Sequence, residues 1–474
     1  MSELPDLTAV ELSRLYGDGS LSPVEVTTAV LARIEAWEPD LAATWALDAK
    51  GALAAARASE ARWRRGEALG PLDGAPVTIK ELIATQGVPK PIGSAASDLV
   101  PEPVDAPPAA RLREAGAVIV AKTTNPDFGM LSSGLSSFHA LSRNPWDLAK
   151  TPGGSSAGAG AAAAAGYGPL HLGTDIGGSI RLPAGWCGIF GFKPSNGRIP
   201  IDPPYIGRCA GPMTRTVEDA ALAMCVLSAP DWRDHMSLPP ADIAWTDLDI
   251  DLKGLRIGLM LDAGVGLPVE PEVAEAVTAA ARTFEAAGAI VEPFAPYLTR
   301  EMLDGLDLFW RTRSLSDLDA LPPERAERCL PYILDWARAA RGADGLSVYR
   351  GFNQIQRMRE AGAKAFQPFD FLLSPTAPMP AFDAHLPSPT NDPAQPFEHI
   401  GFTVAFNMTE QPAASINCGY TAQGLPIGLQ IVGRRFDDLG VLRLSRAYER
   451  LRPAPSPWPT RPFNDSRPGS TPSA

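Results

Sequence analysis

Apolar side chains fall at helical spacing soon after the first capping signal. Ser22 and Pro23 open a helical stretch, Glu25 follows in its first turn, and Val26, Val30, Ile34 and Trp37 share one face. Ala49 to Arg65 predicts a second helix, rich in alanine and arginine. From Gly70 the texture changes. Ala75-Pro76-Val77-Thr78-Ile79-Lys80 predicts a short strand, and Arg111 to Ala121 predicts a helix end, a turn at Gly116 and a buried strand at Val118-Ile119-Val120. Farther along, Leu255–Leu261, Val273–Ala287 and Ala289–Val291 predict strand, helix and strand, with Val273, Val277 and Phe284 on one helix face. Asp231 to Asp251 and His385 to Glu398 read as surface connections, and the last twenty or so residues, rich in Pro and Ser, as a mobile tail. The alternation of elements places the chain in the α/β class.

The 474 residues carry 42 Lys+Arg against 54 Asp+Glu, a net charge of −12, with 45% apolar and 20% charged residues. That balance is one of a soluble protein with a large core. The acidity and the lack of a Lys/Arg cluster argue against a nucleic-acid binder. Five scattered cysteines (Cys187, Cys209, Cys225, Cys329, Cys418) show no C-x-x-C spacing, which argues against a disulfide scaffold or zinc ribbon and for a reducing compartment. Met1 to Val10 lacks the basic start and apolar run of a secretory signal, and Ala157 to Leu172 is too short and too rich in glycine to span a bilayer. The expectation is a cytoplasmic protein that meets neither membrane nor nucleic acid.

Glycine is dense between Thr151 and Arg198, a composition that calls for close backbone approach or special dihedrals. Within it, Thr151-Pro152-Gly153-Gly154-Ser155-Ser156-Ala157-Gly158 leads into an alanine-rich helix, and Gly173-Thr174-Asp175-Ile176-Gly177-Gly178-Ser179-Ile180-Arg181 forms a second turn of the same kind. Such turns present unpaired N–H groups suited to an oxyanion or phosphate. A phosphate loop would need a lysine after its glycines, and none follows Gly154. Gly154-Ser155-Ser156-Ala157-Gly158 also fits the G-x-S-x-G elbow with Ser156 as nucleophile, but that needs a base histidine. His171 is too near, and His235, His385 and His399 lie in stretches that read as surface loops. The glycines and alanines could equally serve close helix packing, with the serines as caps. Lys80 at the end of an apolar strand changes the balance. Beside Glu81 it reads as a surface ion pair, but if buried its depressed pKa makes the neutral amine a general base for a Ser-Lys hydrolase.

With these residues in place, the sequence resembles the amidase signature family of serine hydrolases, which use a Ser–cis-Ser–Lys triad. The resemblance is strongest over Gly74–Arg198: GAPVTIKEL around Lys80, AKTTNPDFGM at Ala121–Met130, SRNPWDLAKTPGGSSAG at Ser142–Gly158 and LGTDIGGSIRLPAGWCGIFGFKPSNGR at Leu172–Arg198. TAVELSRLYGDGSLSPVEV near the start and AASINCGYTAQGLPIGLQIVGRRFDD near the end are also similar to the family. The resemblance implies a mixed central β-sheet surrounded by helices, in one domain over residues 1–455, with a signature core near 74–200, a more variable cap and pocket region over 231–400, and a flexible tail at 456–474. Residue by residue it implies Ser179 as nucleophile, Ser155 as the bridging serine with a cis peptide, Lys80 as base, and the amides of Ile176, Gly177, Gly178 and Ser179 as oxyanion hole. Thr174, Asp175 and Arg181 are expected to support that turn, since buried polar groups need partners. The family commonly has glycine where Ala157 and Ala159 stand, and often Asp where Glu81 stands.

The implied activity is hydrolysis of linear amide bonds, with carbamates (urethanes) as a further substrate class, and without metal or organic cofactor. Gly129, Met130, Leu131 and Ser132 are expected to touch substrate. Asn125 to Leu131, Phe138, Tyr205, Trp310, Trp336, Phe371 and Met379 are candidate pocket walls. A monomer or homodimer acting on a small molecule is expected. The alternative is a sister branch of the family, the amidotransferases that work with partner proteins on transfer RNA.

Overall fold

A computed structural model of the chain describes residues 3–467. Among these, eleven strands form one mixed sheet. They are β1 (Thr44–Trp45), β2 (Pro76–Lys80), β3 (Val118–Thr123), β4 (Leu170–Asp175), β5 (Phe190–Lys193), β6 (Cys209–Thr214), β7 (Arg256–Leu259), β8 (Ile290–Pro293), β9 (Phe371–Pro375), β10 (Ala413–Tyr420) and β11 (Pro426–Gly433). Their order across the sheet is β1-β3-β2-β4-β6-β5-β10-β11-β9-β7-β8. The expected mixed sheet flanked by helices is what the chain forms.

Local sequence chemistry explains most boundaries. Ser22 caps the helix Pro23–Leu41 by accepting the Val24 N–H at 3.0 Å, while Glu25 accepts the Ser22 N–H at 2.8 Å. The expected strand–helix–strand near residue 270 is β7, the helix Pro271–Ala286 and β8, with β7 and β8 parallel. The buried strand expected near Val118 is β3. β2 lies parallel to both β3 and β4, so its carboxyl end and that of β4 open at the same edge of the sheet. In such sheets ligands sit beyond the carboxyl ends of parallel strands. This pairing brings Lys80, the last residue of β2, alongside Thr174 at the end of β4.

Two stretches in the later part of the chain bear on the site and on the surface. Within the stretch 231–400, β7, β8 and β9 join the central sheet, while the helices Arg300–Asp319 and Pro331–Arg338 bring Trp310 and Trp336 to the cleft. The final stretch is laid on the domain as far as the structure describes it. Phe463 packs edge-on against Trp37 at 5.2 Å, the Arg215 guanidinium covers Trp458 at 4.5 Å, and Leu148 N–H donates to the Asn464 carbonyl at 2.8 Å. Apolar burial and cation–π contact outweigh the composition there. Residues 468–474 of the expected tail lie outside the described residues. No helix among the described residues is long and apolar enough to cross a membrane.

The alanine-rich helix Ala157–Ala165 is buried on every side, and its small side chains are a packing requirement. A Cβ at Gly158 would stand 2.0 Å from the Ala43 carbonyl oxygen and 2.5 Å from the Thr124 amide nitrogen, in backbone that cannot yield cheaply. An exposed mid-helix Gly→Ala change stabilises by roughly 1 kcal/mol. Here overpacking reverses the sign: Gly158→Ala is expected to lose about 1–3 kcal/mol, read as a lower urea midpoint at unchanged m value. A midpoint equal to or above wild type would show that the helix has room.

Candidate active site

Three hydroxyl groups surround the Lys80 amine in the sheet edge. Its Nζ lies 2.7 Å from Ser155 Oγ, 3.1 Å from Ser156 Oγ and 3.0 Å from Thr174 Oγ1. All four residues are buried, and among the described residues no carboxylate contacts the amine. The surface ion pair with Glu81 does not form. Glu81 is itself buried, accepting the amides of Ile92 at 2.6 Å and Gly93 at 2.8 Å and facing His139 Nε2 at 3.3 Å. Burial pushes the Lys80 amine well below its ordinary pKa of 10.5, and the Arg208 cation adds to that. The Asp175 and Glu81 charges act the other way. A neutral amine has two N–H donors and one lone pair. Donation to Ser156 and Thr174 with acceptance from the Ser155 hydroxyl satisfies all three.

Ser155 and Ser156 sit on the turn before the helix Ala157–Ala165, and the Gly154–Ser155 peptide bond is cis. Gly154 leaves no room for a side chain, since a Cβ would come within 2.7 Å of Leu131 O and 2.6 Å of Ser133 N. Ser156 is fully committed: its hydroxyl donates to Thr174 O at 3.1 Å and accepts Thr174 N–H at 3.2 Å. His171, the nearest histidine in sequence, pairs instead with Thr78 at 2.8 Å. The geometry therefore offers no base for the G-x-S-x-G alternative with Ser156 as nucleophile. The Ser156 N–H donates to the Ser179 carbonyl at 3.2 Å and joins the two turns.

Asp175 builds the second turn. Its Oδ1 accepts from the Gly178 amide at 2.9 Å, from Arg181 Nη2 at 2.9 Å and from Asn407 Nδ2 at 2.8 Å. Its Oδ2 accepts from the Ile180 amide at 3.0 Å and from Arg181 Nε at 3.0 Å. Although burial raises a carboxyl, the Arg181 guanidinium and these hydrogen bonds hold Asp175 far below its usual range. Arg181 continues to Thr403 O at 2.9 Å and Gln430 Oε1 at 2.7 Å, and Thr403 Oγ1 donates to Gly177 O at 2.6 Å. The turn is thereby fixed to β11 and the helix Val404–Met408.

One of the four expected oxyanion donors is corrected by this arrangement. The Gly178 amide is bound to Asp175 and is not free. The amides of Ile176, Gly177 and Ser179 have no acceptor among the described residues. Gly178 instead serves geometry, at φ 128°, where a Cβ would strike Thr403 Oγ1 at 2.6 Å. Ser179 is half-exposed in the cleft, and its Oγ makes no hydrogen bond to a described residue, Ser155 included. Catalytic hydrogen bonds are often loose before substrate arrives.

The cleft has two branches that meet at Ser179. The wide one, about 530 Å³, is bordered by Ser155 and runs past Phe128, Tyr205, Arg208, Arg313 and Ile333. The narrow one, about 40 Å³, is walled by Met130, Leu131, Trp310, Ile333, Trp336 and Ile400. Gly129 and Met130 border both branches, and Leu131 and Ser132 the narrow one. Trp310 and Trp336 both pack against Phe397, at 5.2 and 6.3 Å between centroids. Three other wall candidates are elsewhere. Phe138 packs on Trp45, Phe371 lies in β9, and Met379 gives its carbonyl to Trp186 Nε1 at 2.9 Å. Asn125 is buried, with its side-chain amide on Pro126 O at 3.0 Å.

The connection His385–Glu398, expected at the surface, forms part of the narrow wall through Pro387, Ser388, Pro396 and Phe397. The next residue, His399, is buried against Trp186 with neither ring nitrogen hydrogen-bonded to a described residue, and burial lowers its pKa to about 3. Sequence reading missed Arg208, Arg313, Tyr332 and His399 as cleft residues. No local pattern distinguishes them, since only the chain's return path brings them to Ser179.

Comparison with known proteins places the chain in a family. The amidase family pattern matches residues 25–442. Curated relatives include the A chain of the glutamyl-tRNA(Gln) amidotransferase of Myxococcus xanthus, 37% identical with 94% of this chain and 98% of that protein covered. Its counterpart from Chloroflexus aggregans is 36% identical, with 97% and 99% covered. Among solved structures, a bacterial aryl acylamidase superposes with TM-score 0.87 at 31% identity, covering 95% of this chain and 97% of that one. The peptide amidase of Stenotrophomonas maltophilia gives TM-score 0.82 at 26% identity, covering 97% and 100%. With a family match spanning most of the sequence and full-length relatives above one-third identity, this chain belongs to the amidase signature family, whose enzymes act on carbon–nitrogen bonds.

Proposed function

We propose that this chain hydrolyses linear amide bonds, and carbamates of the same shape, through an acyl-enzyme on Ser179. The observation that carries the reading is the 2.7 Å contact between the buried Lys80 amine and Ser155 Oγ. Neutral Lys80 takes the Ser155 proton as Ser155 takes that of Ser179, and Ser179 Oγ attacks the carbonyl carbon. The oxyanion rests on the free amides of Ile176, Gly177 and Ser179, each worth a factor of about 10²–10³ in rate. Ser155 returns the proton to the leaving amine, and water then cleaves the acyl-enzyme. Asp175 and Arg181 are positioning residues that hold the three amides at one point. A carbamate offers the same planar carbonyl and leaving amine. The aromatic walls of the narrow branch and the similarity to an aryl acylamidase support aryl or small apolar groups beside Ser179.

A second reading, an amidotransferase component working with partners on transfer RNA, is favoured by the curated relatives from Myxococcus and Chloroflexus. The two separate on whether the chain acts alone. The purified protein is expected to release amine from 4-nitroacetanilide without nucleotide or partner, and Ser179→Ala is expected to lower kcat by about 10⁴-fold or more. Mass spectrometry after a fluorophosphonate reagent is expected to find the adduct on Ser179. Turnover only after adding partner proteins and nucleotide would favour the second reading, and undiminished turnover by Ser179→Ala would remove the first.

The pH dependence follows from the lysine. Neutral Lys80 is the active form and its pKa lies well below 10.5, so kcat/KM rises with pH through that lowered value and then levels. Arg208→Gln removes a cation that favours the neutral amine, so the rise moves to higher pH. A rise that moves to lower pH in the variant rejects the lysine base.

A further inference from the structure

The wide branch of the cleft holds two guanidinium groups without a carboxylate on either. Arg208, on the loop entering β6, donates to its neighbour Pro203 O at 2.9 Å. Arg313, on the helix Arg300–Asp319, donates to Met130 Sδ at 3.3 Å and lies over the Tyr205 ring at 5.0 Å. Neither makes an ion pair with a described residue, and Arg313 Nε is buried with no hydrogen-bond partner among the described residues. Two other arginines of the same helix are paired, Arg300 with Glu398 at 2.8 Å and Arg311 with Asp307 at 2.6 Å.

The two unpaired groups also feel each other. Burial and then the Arg313 cation bring the Arg208 pKa down to about 10. Holding two cations together in a partly dry wall is unfavourable unless an anion joins them. The charges facing them do not fill that role. Lys90 on the opposite wall is already paired with Glu102 at 3.2 Å, and the Asp175 carboxylate is saturated by Arg181 and backbone amides. Asp317, exposed one turn beyond Arg313, remains outside ion-pair distance. The Asp202 carboxylate also acts on Arg208, again without an ion pair, so both guanidinium forks remain open to an incoming anion. The planar forks of arginine match a carboxylate.

We propose that Arg208 and Arg313 form a subsite for a carboxylate carried by the substrate, so that the favoured carbon–nitrogen substrates are anionic amides. This rests on the hydrolase reading above and adds the substrate's charge to it. The neutral aryl or alkyl part occupies the narrow branch, and the anionic end lies in the wide one.

Two matched pairs of anilides test it. One places the acid on the acyl side, N-(4-nitrophenyl)succinamic acid against 4-methyl-4′-nitrovaleranilide, in which isopropyl replaces carboxylate. The other places it on the leaving side, 4-acetamidobenzoate against 4-acetamidotoluene. In at least one pair the acid is expected to show about ten- to hundredfold higher kcat/KM, a preference that falls with added salt. Arg313→Met is expected to cut that acid-to-neutral ratio about tenfold or more, and Arg313→Gln serves the same purpose should the methionine variant fail to fold. Ratios of one or less in both pairs, or a ratio untouched by either variant, overturn the subsite. Calorimetric binding of the same compounds to Ser179→Ala keeps the two readings apart. If wild type cleaves none of the four, the hydrolase reading fails. Tenfold tighter binding of an acid than of its neutral partner still upholds the subsite, and equal binding overturns it.

Discussion

The site depends on what surrounds a buried amine. Three lysines are buried among the described residues, Lys80, Lys122 and Lys193, and burial lowers the pKa of each. Their neighbours differ. Lys193 donates to two carbonyl oxygens, Pro194 at 2.9 Å and Gln411 at 2.6 Å, and Lys122 donates to the Ile83 carbonyl and to Thr85 Oγ1. A carbonyl can only accept, so it favours an amine that keeps all its protons. Lys80 meets three hydroxyls, which can also donate. Burial favours the neutral form of all three lysines, but only Lys80 has hydroxyls alone as its neighbours, and the Ser155 hydroxyl among them is free to hand over its proton. Chemistry at this edge of the sheet follows from that difference in partner type.

The carboxylates near Lys80 are kept from neutralising it as an ion pair. Glu81 follows it directly in sequence, yet the strand's alternation turns it to the other face, where it binds the Ile92 and Gly93 amides and His139. Asp175 lies one residue beyond Thr174 and is held by Arg181. Both acids do structural work: Glu81 fixes a loop bordering the wide branch, and Asp175 shapes the turn that presents the Ile176, Gly177 and Ser179 amides. Removing the Arg181 partner would strand a charge in the interior, a loss of about 3–5 kcal/mol in comparable buried pairs. The turn that carries Ser179 is thus rigid for the same reason the lysine is free of counter-ions.

Legibility in the sequence followed contact range. The strands β2 and β3, the helix Ala157–Ala165 and the strand–helix–strand at 256–293 were readable because their signals are contiguous: apolar runs, caps and glycine turns. Lys80, Ser155 and Ser179 stood out through their motifs, but the commitment of Gly178 to Asp175 did not, because four consecutive amides look equivalent until a side chain selects among them. The narrow wall was only half legible. Trp310 and Trp336 drew notice as large aromatics, whereas Phe397 and His399 were hidden in a Pro-rich stretch that composition assigns to the surface. The final stretch misled for the same reason. Pro and Ser dominate its composition, but Trp458 and Phe463 fix it to the domain through partners more than two hundred residues away.

The two branches of the cleft couple recognition to base strength. Arg208 borders the wide branch, and its charge is the second cause, after burial, of the low Lys80 pKa. That field adds to burial in favouring the neutral amine, ready to accept a proton. An anion seated between Arg208 and Arg313 offsets part of the field, so Lys80 becomes a stronger base once such a substrate is in place. The amine must be neutral before substrate binds but must then pull a proton through Ser155, and these requirements oppose each other for a fixed pKa. A cation that is unmasked in the free site and screened in the complex lets one lysine meet both. A neutral substrate leaves Arg208 unscreened and Lys80 the weaker base, so discrimination between anionic and neutral amides arises in the proton transfer as well as in binding.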